Sequence, residues 1–492
     1  MRAKFWLQSF KLSSVAALLA TLAMLTPVVS ASAADKRTPP PELGKLEGPE
    51  AQAFYLGLNA VMWGYPSVFF EDLMHGRTEA DAEKKTGNPR SQVNQFALVR
   101  HLRGPEFKQI ATPNNDTLYA QAFSDLSREP LILSVPAVEP DRYYVLQLWD
   151  PNGDTFAYIG SRTTGHDAGS FALVGPGWKG ELPKGVTRID SEYNTMVIWG
   201  RIGVRGPDDV KAANEIQDKL RLVPLSQYGK SEDQPPPDMA FSEQRVVYTS
   251  PADLPDGLEF YDKLARSLKY TPPKPVQDNV VADSLSQIGF RDDNTRFDYK
   301  SLSKAEIAGL SKAYQFGLHL MDVNAQSAGV DVNGWRWSPK SGIMGTDYLF
   351  RAAWAKWYTG GNAAVEAIYL DGRKDDKGHA FDGSKDYTMR FEKGELPHVS
   401  AFWSLSMYHL SDGSFVENPI KRYSIGGLTQ GLETASDGSV TLYIQHNAPD
   451  DPAQKANWLP SPAEGFYLNL RLYGPDDSLK DGTWKPPVVV QK

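Results

Sequence analysis

Along this chain the apolar residues first follow the spacing of a helix, then the alternating pattern of strands. In the middle of the chain the helical spacing returns, and strand patterns follow it. A first helix is predicted from residue 48, where Gly48 precedes Pro49 and Glu50. Proline suits a first turn because it needs no N–H partner there, and an acidic residue complements the helix dipole. Apolar side chains then recur with the period of one helix face, at Ala53, Leu56, Ala60 and Trp63.

Beyond about residue 110 the pattern is typical of β-strands. Aromatic and β-branched runs bounded by turn residues occupy residues 131–135, 143–149, 155–159 and 195–204. Asn152-Gly153 is a hairpin-turn signal between two of these runs. Strand patterns return at about residue 385 and continue to Tyr473.

The middle of the chain has a different pattern of residues, with a proline-rich stretch followed by helical spacing. Residues 231–256 contain three consecutive prolines at 235–237 and predict a linker or surface loop. Helical patterns follow at 258–268 and 303–326. A third helix, around Asp347 to Tyr358, is rich in aromatic residues, which serve either as core or as a stripe that faces a ligand.

An internal repeat relates the two strand-rich halves. Tyr143–Phe156 aligns with Phe402–Phe415 without a gap, and aromatic residues face each other at several positions. Gly206-Pro207-Asp208-Asp209 recurs as Gly474-Pro475-Asp476-Asp477, each time after an apolar strand. We therefore predict an α+β fold with two related antiparallel β-sandwich-like units, attached helices and a helical middle segment.

Four segments are predicted along the chain. They are a signal peptide at 1–33, an N-terminal β-rich domain at 34–245, a linker and helical segment at 246–330, and a C-terminal domain at 331–492.

The signal peptide is predicted from the first residues. Arg2, Lys4 and Lys11 form a positive region, an apolar run follows at 15–29, and Ala31-Ser32-Ala33 is a small-x-small cleavage site. The run is short and interrupted by proline, although an uncleaved anchor is the alternative. We expect a protein of the periplasm, or one secreted further.

The net charge and the amino-acid composition exclude some classes of binding partner. Removal of the three basic leader residues takes the formal charge from −8 to −11. An acidic chain is a poor candidate for nucleic acid, and no later apolar stretch is long enough to span a membrane. The chain has no cysteine, which excludes disulfides and thiolate chemistry. We expect a small-molecule substrate or ligand, and the oligomeric state stays open.

Several common catalytic motifs do not occur in the sequence. No G-x-S-x-G motif occurs, and Tyr228–Ser231 resembles only the end of a phosphate-binding loop, because Pro224 stands where the first glycine is needed. The eight histidines are scattered singly, so no metal ligands are assigned, although a divalent cation stays open as a cofactor. Asp150–Asp154 begins like a calcium loop, but its glycine is misplaced and a hairpin turn explains the same residues.

The densest polar motif is Thr112–Thr117, which contains Asn115 and Asp116 at the start of a strand. Amide and carboxylate groups here could position a water, bind a polyol or coordinate a cation, and we select Asn115 and Asp116 as candidate catalytic residues. The alternative is an Asx-turn network that only shapes a tight corner.

Arginines adjoin aromatic residues repeatedly. Arg142, Arg162 and Arg422 are candidates for binding substrate charge, and Trp403 and Trp458 for stacking on a ligand. The alternative is that such arginines form buried ion pairs that join the two β units.

The same segments resemble a known bacterial family. Residues 112–119, 141–144 and 160–165 resemble the domain of unknown function 1254, and residues 401–404, 418–423, 457–460 and 471–473 resemble the domain of unknown function 1214. The resemblance covers most of residues 50–475. It implies an exported, β-rich protein with helical segments, and it implies no activity or catalytic set.

Two functions are compatible with these residues. The first is an exported soluble hydrolase of a small anionic or polyhydroxylated molecule, such as a phosphoester. In it Asp116 is the general base or metal ligand, Asn115 orients a water, and Arg142, Arg162 and Arg422 hold substrate charge.

The second function is that of a non-catalytic ligand-binding or envelope-associated protein. Its cleft would be formed by aromatic and arginine side chains, with Trp403, Trp458 and Trp337 carrying the affinity.

Overall fold

A computed structural model describes residues 38–79, 83–84, 87–90, 92–108, 110–230 and 249–492. The leader expected at 1–33 and the prolines at 235–237 lie outside the described residues. The chain from Lys36 to Lys492 forms one compact unit. Within the described residues, no helix combines the length and the apolar character needed to cross a bilayer.

Eight helices occur in the described part of the chain. They are α1 (Gly48–Thr78), α2 (Val210–Gln217), α3 (Glu259–Ser267), α4 (Asn279–Ser284), α5 (Lys304–Ser327), α6 (Tyr348–Trp357), α7 (Pro452–Ala456) and α8 (Asp477–Lys480). Pro49 lies in the first turn of α1, and a capping box of Ser303 and Glu306 begins α5.

Helices α1, α3, α5 and α6 pack together into what we call the helical layer. Trp63, Leu264, Leu310 and Ala352, one from each helix, belong to a single apolar cluster. The layer therefore combines helices that are far apart in the sequence.

Strands of the first half form two sheets. These strands are β1 (Ala97–Leu98), β2 (Thr117–Asp125), β3 (Leu131–Val135), β4 (Tyr144–Trp149), β5 (Thr155–Gly160), β6 (Gly169–Val174), β7 (Val186–Asp190), β8 (Thr195–Gly203) and β9 (Arg221–Pro224). The large N-terminal sheet has the order β1-β2-β8-β4-β5, and the small one β7-β6-β3-β9.

Strands of the second half form a matching pair of sheets after a short two-stranded ribbon, β10 (Phe290–Arg291) with β11 (Arg296–Phe297). They are β12 (Val330–Val332), β13 (Trp335–Trp337), β14 (Ala367–Gly372), β15 (Tyr387–Phe391), β16 (Val399–His409), β17 (Ser424–Gly426), β18 (Val440–Gln445), β19 (Trp458–Pro460), β20 (Phe466–Pro475) and β21 (Val489–Gln491). The large C-terminal sheet has the order β12-β13-β14-β20-β16-β17, and the small one β19-β18-β15-β21.

The two halves have the same strand order. Taken in chain order, β2 to β9 correspond to β14 to β21, and β2-β8-β4-β5 matches β14-β20-β16-β17. Even the parallel pair β6–β7 recurs as β18–β19, within otherwise antiparallel sheets. The predicted α+β fold with two related sheet-rich units is therefore confirmed.

Each half is a sandwich with its own apolar core. Leu118, Leu146 and Ile198 of the large N-terminal sheet share a core with Leu133 and Leu173 of the small sheet. Alternate residues of a strand point to opposite faces, so this packing buries one face of each large sheet.

The C-terminal sandwich is built in the same way. Leu370, Leu405 and Leu470 of its large sheet share a core with Met389 and Leu442 of its small sheet. The opposite face of the large N-terminal sheet is also buried, against the large C-terminal sheet and against α1.

Candidate functional site

The buried surface between the two large sheets is aromatic and polar; we call it the inner layer. Tyr143 packs its ring against Phe402 and Tyr473, with centroids 5.7 and 5.2 Å apart. Tyr143 also donates a hydrogen bond of 2.9 Å to Glu366, a carboxylate that is only 1% exposed. The residues that could carry chemistry are therefore concentrated where the sandwiches meet.

The Thr112–Thr117 segment forms one corner of the inner layer. Asn114 Oδ1 accepts hydrogen bonds from the backbone N–H groups of Asp116 and Thr117, which is the predicted Asx-turn geometry. Asp116 Oδ2 accepts from the Ser404 hydroxyl at 2.6 Å, and its Oδ1 accepts from Ser424 at 3.0 Å. The carboxylate therefore links the N-terminal segment to two strands of the C-terminal sandwich.

Asn115 lies beside this link and is incompletely bonded. Its Oδ1 is buried and has no hydrogen-bond partner among the described residues. A buried acceptor without a donor costs about 1–3 kcal/mol, so a water or hydroxyl would be stabilised here. The two candidate catalytic residues thus lie together at the junction of the sandwiches.

Arg471 supports the same corner from the C-terminal side. It is 3% exposed and donates to Ser406 Oγ and to the carbonyl oxygens of Thr112 and Pro113. Burial works to lower its pKa, but the neighbouring tyrosines and Asp116 raise it, so the guanidinium stays charged. In the sequence Arg471 is part of the segment 471–473 that resembles the domain of unknown function 1214, and it is not among the candidate site residues.

The three arginines selected from the sequence do not share one cleft. Arg142 is buried and bonds Asp209 through both terminal nitrogens, at 2.6 and 2.7 Å, and Glu139 through Nε. Arg422 donates to the carbonyl oxygens of Ala456 and Trp458, both at 2.8 Å, within the C-terminal sandwich.

Arg162 is the one of these three that crosses between the sandwiches. Its Nε donates to Glu366 at 2.6 Å, and its side chain is 31% exposed. The guanidinium also lies 5.4 Å from the ring centre of Tyr158. Arg162 therefore closes the edge of the inner layer and remains accessible to solvent.

The tryptophans selected from the sequence are both buried in the C-terminal half of the chain. Trp403 lies in the core of the sandwich with its ring 5.1 Å from Phe391. Trp458 is 2% exposed and donates its indole N–H to the Gln445 carbonyl. Its strand neighbour Leu459 faces the core, so Trp458 is buried on the opposite face of the strand.

A pocket lies instead between the large N-terminal sheet and the helical layer. It encloses about 310 Å³, part of which is open to solvent. Its walls come from α1, β4, the β4–β5 turn, α6 and the loop after α6, and consist of Pro66, Phe69, Gln147, Trp149, Pro151, Gly153, Trp354, Ala355, Thr359, Gly360 and Gly361. The aromatic walls are Phe69, Trp149 and Trp354.

One polar group of the pocket wall is unsatisfied. Trp149 is 4% exposed, and its indole Nε1–H has no hydrogen-bond acceptor among the described residues. By contrast, Gln147 is fully bonded, because its amide donates to Thr155 and Gly361 and accepts from Arg201. The aromatic wall of the pocket therefore contains one buried donor that has no partner among the described residues.

The β4–β5 turn beside the pocket settles the two interpretations of Asp150–Asp154. Asp150 Oδ1 accepts from the backbone N–H groups of Asn152 and Asp154, as in a hairpin turn. Within the described residues, no group of three or more His, Asp or Glu side chains is placed to hold a metal ion. Burial, followed by the charge of Asp154, raises the pKa of Asp150 to about 7, although Lys274 and Arg351 oppose the shift.

The pocket residues were missed by the sequence reasoning. Trp149 lies in the aligned repeat and Trp354 in the aromatic helix, so both segments carried a signal. What the pattern could not show was that Phe69, about eighty residues earlier, faces Trp149 across the pocket.

The fold and the inner layer define the class of this protein as an α+β chain of two sandwiches with one strand order. Residues 93–224 match the family model described as protein of unknown function (DUF1254), and residues 366–477 match the one described as protein of unknown function (DUF1214). The chain thus carries both domains, and each match falls on one sandwich.

One solved structure supports the fold. The crystal structure of the VPA0106 protein from Vibrio parahaemolyticus is similar with a TM-score of 0.65 and 23% sequence identity, covering 89% of this chain and 100% of that one. A protein from Burkholderia cenocepacia covers 90% of this chain at a TM-score of 0.41 and 11% identity. No curated protein matches this chain.

Proposed function

We propose that this protein binds a small, largely apolar molecule that carries one hydrogen-bond acceptor. The observation that supports the proposal is the pocket walled by Phe69, Trp149 and Trp354, together with the buried Trp149 N–H, which has no acceptor in the part of the chain that the structure describes. Indole nitrogen is a donor only, so a ligand oxygen in the pocket would satisfy it.

The size of the pocket restricts the ligand. Of the roughly 310 Å³ of this pocket, the enclosed part holds about one water molecule and the rest is open to solvent. A ring would therefore pack against the aromatic walls from the open side of the pocket. Since the pocket wall is otherwise apolar or internally bonded, affinity would come from ring packing and the one hydrogen bond.

Binding can be tested with acetophenone and ethylbenzene, which have similar shapes but differ in the carbonyl acceptor. The indole N–H resonances of ¹⁵N-labelled protein report on each tryptophan. We expect acetophenone to shift one indole signal that is absent in Trp149→Phe, and to bind that variant about fivefold more weakly, since a hydrogen bond contributes about 1 kcal/mol. Ethylbenzene should not distinguish the two proteins.

Trp178→Phe is the matched control, because Trp178 packs in the N-terminal sandwich away from the pocket. Its acetophenone affinity should equal that of the unmodified protein. Equal affinities of acetophenone for the Trp149→Phe and Trp178→Phe variants would contradict the proposed role of the indole N–H, and absence of saturable binding would contradict the proposed function.

A second candidate function is hydrolysis of a small phosphoester at the corner of Asn115 and Asp116. The buried Asn115 Oδ1 supports it, because this acceptor has no donor within the described ranges and belongs to the residue next to Asp116. Purified protein would be offered phosphate monoesters, carboxylic esters and glycosides, with EDTA or with added Ca²⁺ or Mg²⁺. Turnover that Asp116→Asn abolishes while the protein stays folded supports this function; turnover that Asp116→Asn leaves unchanged removes it.

We also propose that the protein acts outside the cytoplasm, in the periplasm or beyond. The positive, apolar and small-residue pattern of residues 1–33 supports this proposal. Cell fractionation with N-terminal sequencing tests it: a chain that begins near residue 34 in the periplasmic fraction is expected, and an intact chain in the cytoplasm would contradict it.

A further inference from the structure

The residues just before α1 lie along the helical layer, where side chains of α5 bind them at two points. At one point the Thr38 backbone N–H donates to Asp322 Oδ2 at 2.6 Å, and the Thr38 carbonyl oxygen lies 3.0 Å from His319 Nδ1. A carbonyl oxygen can only accept, so His319 Nδ1 carries the donated proton. At the other point Lys312 Nζ donates to the Leu43 carbonyl oxygen at 2.9 Å. These residues are therefore bound through their backbone.

The spacing of these contacts suits an extended, proline-rich segment. Residues 39–41 are three consecutive prolines, which favour the polyproline II conformation. With a rise of about 3.1 Å per residue in that conformation, residues 38–43 span about 16 Å. From Lys312 to Asp322 the helix α5 rises about 15 Å, at about 1.5 Å per residue. The segment and the helix therefore match in length, and a stiff segment loses little conformational entropy when it docks.

Asp322 joins this segment to α6 as well. It is 2% exposed, and its Oδ1 accepts from Lys356 Nζ at 2.6 Å and from the Trp357 indole N–H at 2.8 Å. Lys356 also donates to Thr38 Oγ1 at 3.3 Å. Burial works to raise the pKa of Asp322, but the hydrogen bonds from its partners lower it below the usual value, so the carboxylate stays charged at neutral pH. This buried anion therefore binds the segment with one oxygen and α6 with the other.

We infer that residues 38–43 are a latch that closes along α5 and holds α6 against it. With the latch open, Asp322 Oδ2 loses its donor from the segment, and Lys356 loses one of its acceptors. Gly44 directly follows the latch at a φ of +63°, and nothing lies within 4 Å of a Cβ placed there, so it is a suitable hinge. The latch belongs to the fold itself and does not depend on the proposed binding function.

Cleavage by a glutamate-specific protease after Glu42 reports on the latch, because a protease cuts a docked segment only while it is transiently open. Thr38→Pro removes the backbone donor and alters no side chain of the helical layer, since proline has no N–H. We expect this variant to be cleaved after Glu42 at least about tenfold faster than the unmodified protein, because a hydrogen bond to a charged group is lost. Thr38→Val keeps the backbone N–H and should be cleaved at nearly the unmodified rate.

Asp322→Asn tests the same bond from α5. Its matched control is Asp283→Asn, at an exposed position of α4. The first variant should be cleaved faster after Glu42 and the second at the unmodified rate. The hold on α6 is read from hydrogen exchange of the Trp357 indole N–H, whose signal Trp357→Phe removes. In Thr38→Pro this exchange should be faster by at least about threefold, because local opening becomes more frequent.

Equal rates of cleavage after Glu42 in Thr38→Pro, Thr38→Val and the unmodified protein would show that no latch closes there. Faster cleavage with unchanged exchange of the Trp357 indole would show that the segment docks without holding α6, and would also overturn the inference. If Asp322→Asn unfolds, the two variants at Thr38 still decide the question, because they change only the segment before α1.

Discussion

Two buried arginines of the N-terminal sandwich carry their charge in different ways. Arg142 bonds the carboxylates of Asp209 and Glu139, so its charge is compensated within the fold. Among the described residues Arg201 bonds amide and carbonyl oxygens, so no carboxylate is directly bonded to its charge. The same residue type is therefore neutralised by carboxylates at one position and held by neutral oxygens at the other.

The raised pKa of Asp150 predicts how the free energy of unfolding depends on pH. Burial, with a contribution from Asp154, raises the pKa of Asp150 to about 7, so the folded state holds a proton that the unfolded state releases above about pH 4. The free energy of unfolding should therefore fall as pH rises from about 4 to about 7, by up to about 1.4 kcal/mol per unit. Asp150→Asn should flatten this part of the profile, measured by urea unfolding at several pH values.

Asparagine keeps the acceptor oxygen that the β4–β5 turn uses, so the variant tests the charge alone. Asp208→Asn, at an exposed position, is the control and should retain the slope of the unmodified protein. If Asp150→Asn and the unmodified protein lose stability in parallel, Asp150 does not carry the proton.

At the scale of elements, the helical layer depends on the close approach of α1 and α5. Gly309 of α5 lies against the α1 backbone, where an added Cβ would clash with the carbonyl oxygen of Glu50 and lie 3.0 Å from the Ala53 side chain. The approach matters for the pocket because α1 supplies Pro66 and Phe69 to its wall. Pro66 cannot donate the helical hydrogen bond to the carbonyl four residues earlier, so α1 is locally weakened beside the pocket.

A pair of glycine substitutions tests this packing. Gly309→Ala should lower the free energy of unfolding by about 1–3 kcal/mol, because a backbone oxygen of α1 has to move. Gly76→Ala, also in a helix but with nothing within 4 Å of the added Cβ, should raise it by about 0.5–1 kcal/mol. Chemical denaturation of both variants measures the difference, and equal effects would mean that the α1–α5 contact relaxes freely.

At the scale of the whole molecule, polar bonds join the two sandwiches. Asp116 bonds Ser404, and Tyr143 and Arg162 bond Glu366 across the inner layer. The same junction buries the rings of Tyr143, Phe402 and Tyr473, so separating the sandwiches would break these bonds and also expose apolar surface to water. We therefore expect the two sandwiches to unfold in one transition.

A double-mutant cycle tests the junction. Asp116→Asn and Ser404→Ala should each destabilise the protein, and together less than the sum, with a coupling free energy of about 1–3 kcal/mol. Ser439→Ala is the control, since Ser439 is buried in the same sandwich but bonds Asp437 locally, and its effect should add to that of Asp116→Asn. If urea unfolding shows that the effects of Asp116→Asn and Ser404→Ala on the free energy of unfolding are additive, this hydrogen bond does not stabilise the junction.

Much of the fold could be predicted because its determinants are local. The alternation of residues 143–149 and the Asn152-Gly153 turn identified a hairpin, and the structure has β4 and β5 there. The repeat of residues 143–156 at 402–415 indicated two related sandwiches, because strands with the same alternation of side chains bury the same faces. The candidate site was predictable only as far as the Asn115–Asp116 corner.

The sequence by itself determined the positions of strands and turns, the repeat and the α+β class, since period and turn chemistry act between residues close in the chain. Only the tertiary structure decided which arginine meets a carboxylate and which tryptophan lines a pocket. Phe69, Trp149 and Trp354 meet through packing of α1, β4 and α6, and residue type does not reveal a partner so far away. Hydrogen bonds and Coulomb attraction act over a few ångströms in space, whatever the separation along the chain.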